Sequence, residues 1–443
     1  MATPAEGQKR NGFVGYFEWF VHSEVTGSIL LLACTLIALV WANSPWAGVY
    51  DDLLHTSIGV SWGDAIFSLN LHHWINDGLM VIFFFVIGLE VKRELVVGEL
   101  SSFEKASLPV AAALGGMVVP ALLFVFLNHG GDAARGWGIP MATDIAFALG
   151  VLAIFGKRAP LGLKVFLTAL AIADDLGAVA VIALYYTEKI DFGPLVVAAI
   201  FLVALVAANR FKIRRTGILL ALMVAVWLAV FASGVHATIA GILLAMVIPV
   251  RPEANIKQFI CEAESFLEKA KEKLDSGSCI VTDSEKLNAV EVVHTRAGET
   301  LPTGLMLEHY LHPVQVWLIL PLFALANAGV PLGGNLTEIL TSPLALGIIA
   351  GLVVGKPLGV FLMSWLVVRT GMGRLPAGVT WTQVVGAGCL AGIGFTMSLF
   401  VSDLAFDDET LITAAKIGIL AASLISGIIG YVILSKALPK VEG

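Results

Sequence analysis

The sequence predicts an all-α integral membrane protein of about twelve transmembrane helices, built as inverted repeats with two broken helices. Three observations lead there. The 443 residues are 58% hydrophobic and only 14% charged, with a mean hydropathy of +0.88, whereas a soluble domain carries about 25% charged residues. Apolar runs of about 20 residues recur along the chain. Two of these runs, in corresponding places, are interrupted by helix-weakening residues, the mark of an inverted-repeat carrier. The composition excludes an ordinary soluble enzyme, a disordered chain, a disulfide scaffold and a nucleic-acid binder. The expected partner is the lipid bilayer.

In order, the expected helices run over residues 24–43, 73–97, 107–128, 137–156, 163–187, 193–209, 216–231, 235–250, 312–331, 343–368, 382–404 and 411–435. The first is too long in its apolar core for a signal peptide and lacks a small-x-small cleavage site. It is read as a retained helix, preceded by the interfacial, aromatic-rich stretch Phe13 to Phe20. Of the 27 basic residues, all but Arg135, Lys189, Lys416 and Lys356 fall in the N-terminal segment, the C-terminal end or alternate loops that share one side. By the excess of Lys and Arg that side is cytoplasmic, which places both termini there. The outer loop 44–71 has no Lys or Arg, and its alternating SIGVSWGDAIFSLNL predicts a hairpin. The inner loop 251–304 holds ten acids and seven bases, and its 255–275 portion reads as an amphipathic, solvated helix. Cys34, Cys261, Cys279 and Cys389 lack metal-ligand spacing and read as reduced thiols.

Four charges lie where charge is most costly: Asp144, Asp174, Asp175 and Lys356. Each costs about 2.5–3.5 kcal/mol at a helix centre on the insertion scale. One structural salt bridge accounts for one acid and the lysine, and leaves two carboxylates needing a function. Asp144 follows Gly138, Pro140 and Thr143, which weaken helix continuity. Asp174 and Asp175 are adjacent, so on a helix they point about 100° apart and serve different partners. The run GAGCLAGIGFTMSLF contains Gly386, Gly388, Gly392 and Gly394. Glycine this dense gives either close helix packing or an unwound stretch. The fourth and eleventh segments sit in the middle of two three-helix groups, 3–5 and 10–12, which suggests an ion site at their meeting point.

The chain resembles the NhaA family of bacterial sodium/proton antiporters, itself a standard example of inverted repeats with broken helices. The resemblance rests on WINDGLMVIFFFVIGLEVKREL (74–95), ATDIAFALGVLA (142–153), ALAIADDLGA (169–178), SGVHATIAG (233–241), LEHYLHP (307–313), LILPLFALANAG (318–329), GKPLG (355–359) and GIGFTMSLF (392–400). It implies exchange of cytoplasmic Na⁺ or Li⁺ for external H⁺, pH-regulated and electrogenic, in the inner membrane. No enzyme activity and no cofactor are implied beyond the transported ions. Asp175 matches the main ion-binding carboxylate, and Asp174 the acid that pairs with Lys356. Asp144 and Lys356 offset the half-helix ends where the two broken helices cross. Asp144 and the Thr143 hydroxyl are further candidate oxygen ligands for Na⁺. The pH-sensing candidates are Glu90, Glu94, His236, Glu308, His309 and His312.

On this reading the chain divides into an N-terminal segment (1–23), helices 1–2 with the hairpin loop (24–106), and a first core repeat (107–187). Helices 6–8 (193–250), the long loop (251–304), helix 9 (305–331) and a second core repeat (343–437) follow. The hairpin at 44–71 is expected to join a homodimer. The departure from the family is the 251–304 loop, tens of residues longer than expected. Two other classes fit the sequence less well. An intramembrane aspartyl protease needs a GxGD motif that neither Asp site has, and a solute carrier of similar fold needs a larger polar cavity.

Overall fold

A computed structural model describes residues 24–62, 65–187, 190–211, 215–251, 302–333 and 335–439, with a few positions between 260 and 268. The segment before residue 24, the predicted amphipathic helix over 255–275 and most of its loop lie outside the described residues.

Among the described residues, eight helices are long and apolar enough to span a membrane, two bent pairs form further spans, and two apolar helices are shorter. Together they match the twelve expected segments in order. They are α1 (Glu24–Ala42), α3 (Leu71–Val96), α4 (Phe103–Leu127), a 3₁₀ segment (Asp132–Met141) bent into α5 (Ile145–Ile154), α6 (Leu161–Tyr185), α7 (Phe192–Arg210), α8 (Thr216–Ala232) and α9 (Ala237–Val247). After the long loop come α10 (Thr303–Asn327), α12 (Pro343–Arg369), α13 (Trp381–Ala391) bent into α14 (Phe395–Ala405), and α15 (Glu409–Ala437). The chain is a multi-pass membrane protein.

The loops carry two short helices that hydropathy does not reveal, α2 (Ala47–His55) and α11 (Leu336–Leu340). The outer loop also holds the hairpin, β1 (Ser57–Trp62) against β2 (Ala65–Asn70), antiparallel from Ser57 opposite Asn70 to Trp62 opposite Ala65. Its base is tied down by Leu71 N donating to Thr56 O at 3.0 Å and by Trp74 Nε1 donating to Ile58 O at 2.9 Å. Tyr50 of α2 donates its hydroxyl to the Leu325 carbonyl at 2.7 Å, fastening α2 to the outer end of α10.

The helix expected from residue 312 begins at Thr303 instead. The stretch TGLMLEHYLHP is mixed in polarity, so hydropathy misses it, yet nothing in it stops a helix after Pro302. Two of the membrane helices contain a wide, π-helical turn that ends directly before a proline. In α10, Leu320 N reaches back to Gln315 O and Pro321 follows; in α12, Lys356 N reaches back to Gly351 O and Pro357 follows. Proline has no N–H and its ring crowds the carbonyl four residues back. Widening the turn relieves that clash without breaking the helix.

Packing separates two buried apolar bodies. The larger runs through α4–α6 and α12–α15 and takes in parts of α1, α3 and α10; it includes Phe84, Phe124, Phe166, Phe323, Leu352 and Phe400. The smaller gathers Phe85 and Leu89 of α3 with Leu205, Val226 and Leu244 of α7–α9. In the larger body α4 and α12 approach most closely through glycine: a Cβ on Gly115 would strike the Gly359 carbonyl, and one on Gly359 would strike the Gly115 carbonyl. Such close approach lets backbones pack where lipid offers no hydrophobic drive.

Candidate ion-binding site

The two bent pairs meet inside the larger body. The first bends by 40° between Met141 and Ile145, and the second by 45° between Ala391 and Phe395. In each break the backbone leaves the helical ladder, so donors and acceptors need other partners in a region without water. The two breaks supply one another. Asp144 N donates to Ile393 O at 2.7 Å, the Thr143 hydroxyl donates to Ala391 O at 2.8 Å, and the Ser398 hydroxyl donates to Ile139 O at 2.8 Å. The glycine-dense run is therefore unwound at Gly392–Gly394 and closely packed before it, where a Cβ on Gly388 would stand 3.0 Å from Pro357 Cα.

Asp144 is the N-cap of α5. One carboxylate oxygen accepts from Phe147 N at 3.0 Å. The other accepts from Thr396 N at 3.1 Å and from the Thr396 hydroxyl at 2.5 Å, at the start of α14. One carboxylate thus faces the positive ends of two half-helices, where the macrodipole favours negative charge. Lys356 does the converse. Its ammonium donates to Met141 O, at the end of the 3₁₀ segment, and pairs with Asp174 Oδ2 at 2.8 Å. The wide turn before Pro357 precedes Lys356, and the lysine stem lies over Gly116, where an added Cβ would stand 3.6 Å from Lys356 Cδ.

α6 carries Asp174 and Asp175 into the same place. Thr143 Oγ1 also lies 2.8 Å from Asp174 Oδ2, so its one proton is shared between that carboxylate and Ala391 O, and Thr143 bridges the two breaks and the Lys356–Asp174 pair. Asp175 is different. It is 1% exposed, and neither of its oxygens has a hydrogen-bond partner; Asp174 Oδ1 is also unpartnered. Buried carboxylate oxygens are almost always paired or coordinate cations. These three oxygens on α6 have the chemistry to accept a hard cation or protons.

The structure brings Asp144, Asp174, Lys356 and Thr143 into one bonded network, with Asp175 beside Asp174 on α6. Of the other predicted residues, Glu94 and Glu308 meet across α3 and α10 through Arg93, at 2.7 Å and 3.1 Å, and Glu90 faces the same group electrostatically. Lys92, which the sequence sets beside these acids, turns away to donate to Met246 O and Ile248 O, at the end of α9. His309 packs edge-on against Tyr310, and His312 lies a turn further along α10. His236 is elsewhere. Its Nε2 meets the Tyr186 carbonyl at 2.9 Å, and the Tyr186 hydroxyl donates to Arg135 O and accepts from Gly138 N. Thr396, Ser398 and Tyr186 carry no signal in sequence, because a hydroxyl in an apolar helix costs little and is common.

Charged groups gathered where two broken membrane helices meet define an ion-coupled secondary carrier. The comparisons with known proteins agree. The family model described as Na+/H+ antiporter 1 matches residues 18–434. The chain is 46% identical over 422 residues to the Na(+)/H(+) antiporter NhaA 2 of Syntrophotalea carbinolica, covering 95% of this chain and 96% of that one. It is 47% identical over 424 residues to the Na(+)/H(+) antiporter NhaA of Oleidesulfovibrio alaskensis, covering 94% and 93%. To the corresponding protein of Wolinella succinogenes it is 43% identical over 416 residues, covering 94% and 92%. The chain belongs to the NhaA family of sodium/proton antiporters.

Proposed function

We propose that this chain is a secondary active transporter of the inner membrane that exchanges Na⁺ or Li⁺ for H⁺ and so maintains sodium and pH balance. The observation that carries the site assignment is Asp175, a fully buried carboxylate with two unpartnered oxygens beside a lysine-paired acid. Na⁺ is a hard cation that takes oxygen ligands. Asp175 and the free oxygen of Asp174 supply them, with the Thr143 hydroxyl and unwound carbonyls at hand. Asp144 joins as a ligand when its bonds to α14 rearrange; otherwise it balances the two half-helix ends.

Protons and Na⁺ compete for these oxygens, and the competition is the coupling. Na⁺ arriving from the cytoplasm expels protons, and protons arriving from outside expel Na⁺. The carboxylates titrate as a group rather than as separate sites. With Asp174 held by Lys356, the remaining acids take either two protons or one Na⁺, and exchange is electrogenic. The core repeats, 107–187 and 343–437, rock against the other helices to expose the site to each side in turn. Both termini are cytoplasmic, and Glu90, Glu94 and Glu308 around Arg93 sense cytoplasmic pH. A homodimer forms through the outer hairpin.

A cavity of about 1180 Å³ lies among α3 and α7–α10, but none of the four charged residues lines it. It gives the solute-carrier reading no site at the charges. The test uses purified protein in liposomes with an internal pH dye. Adding Na⁺ or Li⁺ collapses an imposed proton gradient, and Asp175→Asn abolishes the response. Wild-type protein that moved no protons on Na⁺ addition at any pH from about 6.5 to 9 would refute the exchange reading.

A further inference from the structure

Two layers of side chains close over the site on the hairpin side, and neither has a part in the exchange chemistry. The inner layer is aromatic. Phe400 stands one turn outward from Thr396, the residue that holds Asp144, and its ring packs against Phe84 of α3 at 5.6 Å and Phe323 of α10 at 6.2 Å between centroids. All three rings are among the most deeply buried in the chain. The outer layer is polar. Asn327 at the end of α10 exchanges hydrogen bonds with Asn76 of α3 and meets His72 Nε2 at 3.0 Å. Facing them are Asp403 of α14 and Lys416 of α15, paired at 3.0 Å, and His72 interacts electrostatically with both. One Asp403 oxygen is buried without a hydrogen-bond partner.

We propose that Phe400, locked between Phe84 and Phe323 beneath the His72–Asn327 and Asp403–Lys416 layer, is the gate that seals the ion site on the hairpin side. Each layer joins the same two pairs of helices. Phe400, Asp403 and Lys416 belong to α14 and α15, which carry one wall of the site. Phe84, Phe323, His72, Asn76 and Asn327 belong to α3 and α10. A dry aromatic layer blocks a hydrated cation, because no ring offers an oxygen to replace its water. The polar layer has bonds to re-form with water once the walls part, so opening there does not leave buried groups stranded. Exposing Asp175 to the hairpin side therefore requires Phe400 to leave Phe84 and Phe323. α14 makes that movement productive, since the first turn of the helix that bears Phe400 carries Thr396, the residue holding Asp144.

The inference rests on the exchange reading, and the experiment separates the two. In a chain with its four native cysteines replaced, Phe323→Cys and Phe400→Cys are combined and bridged by a short bis-thiosulfonate reagent. Exchange is measured in liposomes before bridging, after bridging and after reduction. The expected result is at least a tenfold loss on bridging, restored by reductant. Unchanged exchange in bridged protein overturns the gate and leaves the exchange reading standing. If the pair is too altered to exchange before bridging while wild type exchanges normally, a second measurement decides. Ser398→Cys, buried inward of Phe400, is labelled from the hairpin side by a membrane-impermeant thiol reagent. Labelling is expected to accelerate at least tenfold when Phe400→Ala is added and to stay unchanged with Phe395→Ala, which lies at the inner end of α14 and packs on Phe147 of α5 rather than on Phe84 or Phe323. Equal labelling with and without Phe400 overturns the gate.

Discussion

At the residue scale the site is organised by which oxygens are occupied. Asp144 is fully engaged by α5 and α14, Asp174 is engaged on one oxygen, and Asp175 on neither. Lys356 ties the set together, and its pairing is testable. Asp174→Asn leaves the buried ammonium with the Met141 carbonyl and no counter-charge. Removing one partner of a buried pair costs about 3–5 kcal/mol, so thermal unfolding in detergent is expected at markedly lower temperature. The double substitution Asp174→Asn/Lys356→Met removes the stranded charge and is expected to recover most of that loss. A double variant as unstable as the single one would show that the pair is not what holds the site. These four charges were legible in the sequence because charge in lipid is costly and therefore rare. Thr396 was not, although it makes two of the bonds to Asp144, because threonine at mid-membrane is ordinary. Asp403 was likewise hidden, since a carboxylate near a helix end reads as a surface group until Lys416 is folded against it.

At the element scale, wide turns and glycines place the lysine. Proline 357 forces the turn that precedes Lys356, and the Gly115–Gly359 crossing draws α12 onto α4 so that the stem lies over Gly116. Gly359→Leu is expected to push the two helices apart. Overpacking of this kind costs about 1–3 kcal/mol, read as a lower unfolding temperature, and a displaced Lys356 is expected to reduce exchange more than stability. Unimpaired exchange would mean that the crossing does not position the lysine. The sequence left the glycine run before Phe395 open between close packing and unwinding. Folding resolves it as both, because Gly388 packs on Pro357 while Gly392–Gly394 turn out to meet the other break. No local pattern separates those roles, since the partner break lies about 250 residues away in sequence.

At the scale of the whole molecule, hydrogen bonds tie the hairpin to its own chain at its base, from Leu71 N to Thr56 O and from Trp74 Nε1 to Ile58 O, and the proposed dimer is expected to use its strands. Joining Thr56 to Leu71 through two glycines, in place of the hairpin, is expected to give a monomer by light scattering in detergent, with exchange retained. A persistent dimer would place the interface elsewhere. The twelve spans could be read from hydropathy, but the mutual bonding of the two breaks could not. That bonding also imposes an order of assembly on the cell. Asp144, Asp174 and Asp175 reach the membrane while the ribosome is still about 180 residues short of Lys356. At roughly 5–20 residues per second that is a wait of about 9–36 s. Through that interval neither Lys356 nor the second break exists to receive them, so the half-made chain must shelter its acids in some other way. The last third of the chain acts as the internal clasp that ends the wait.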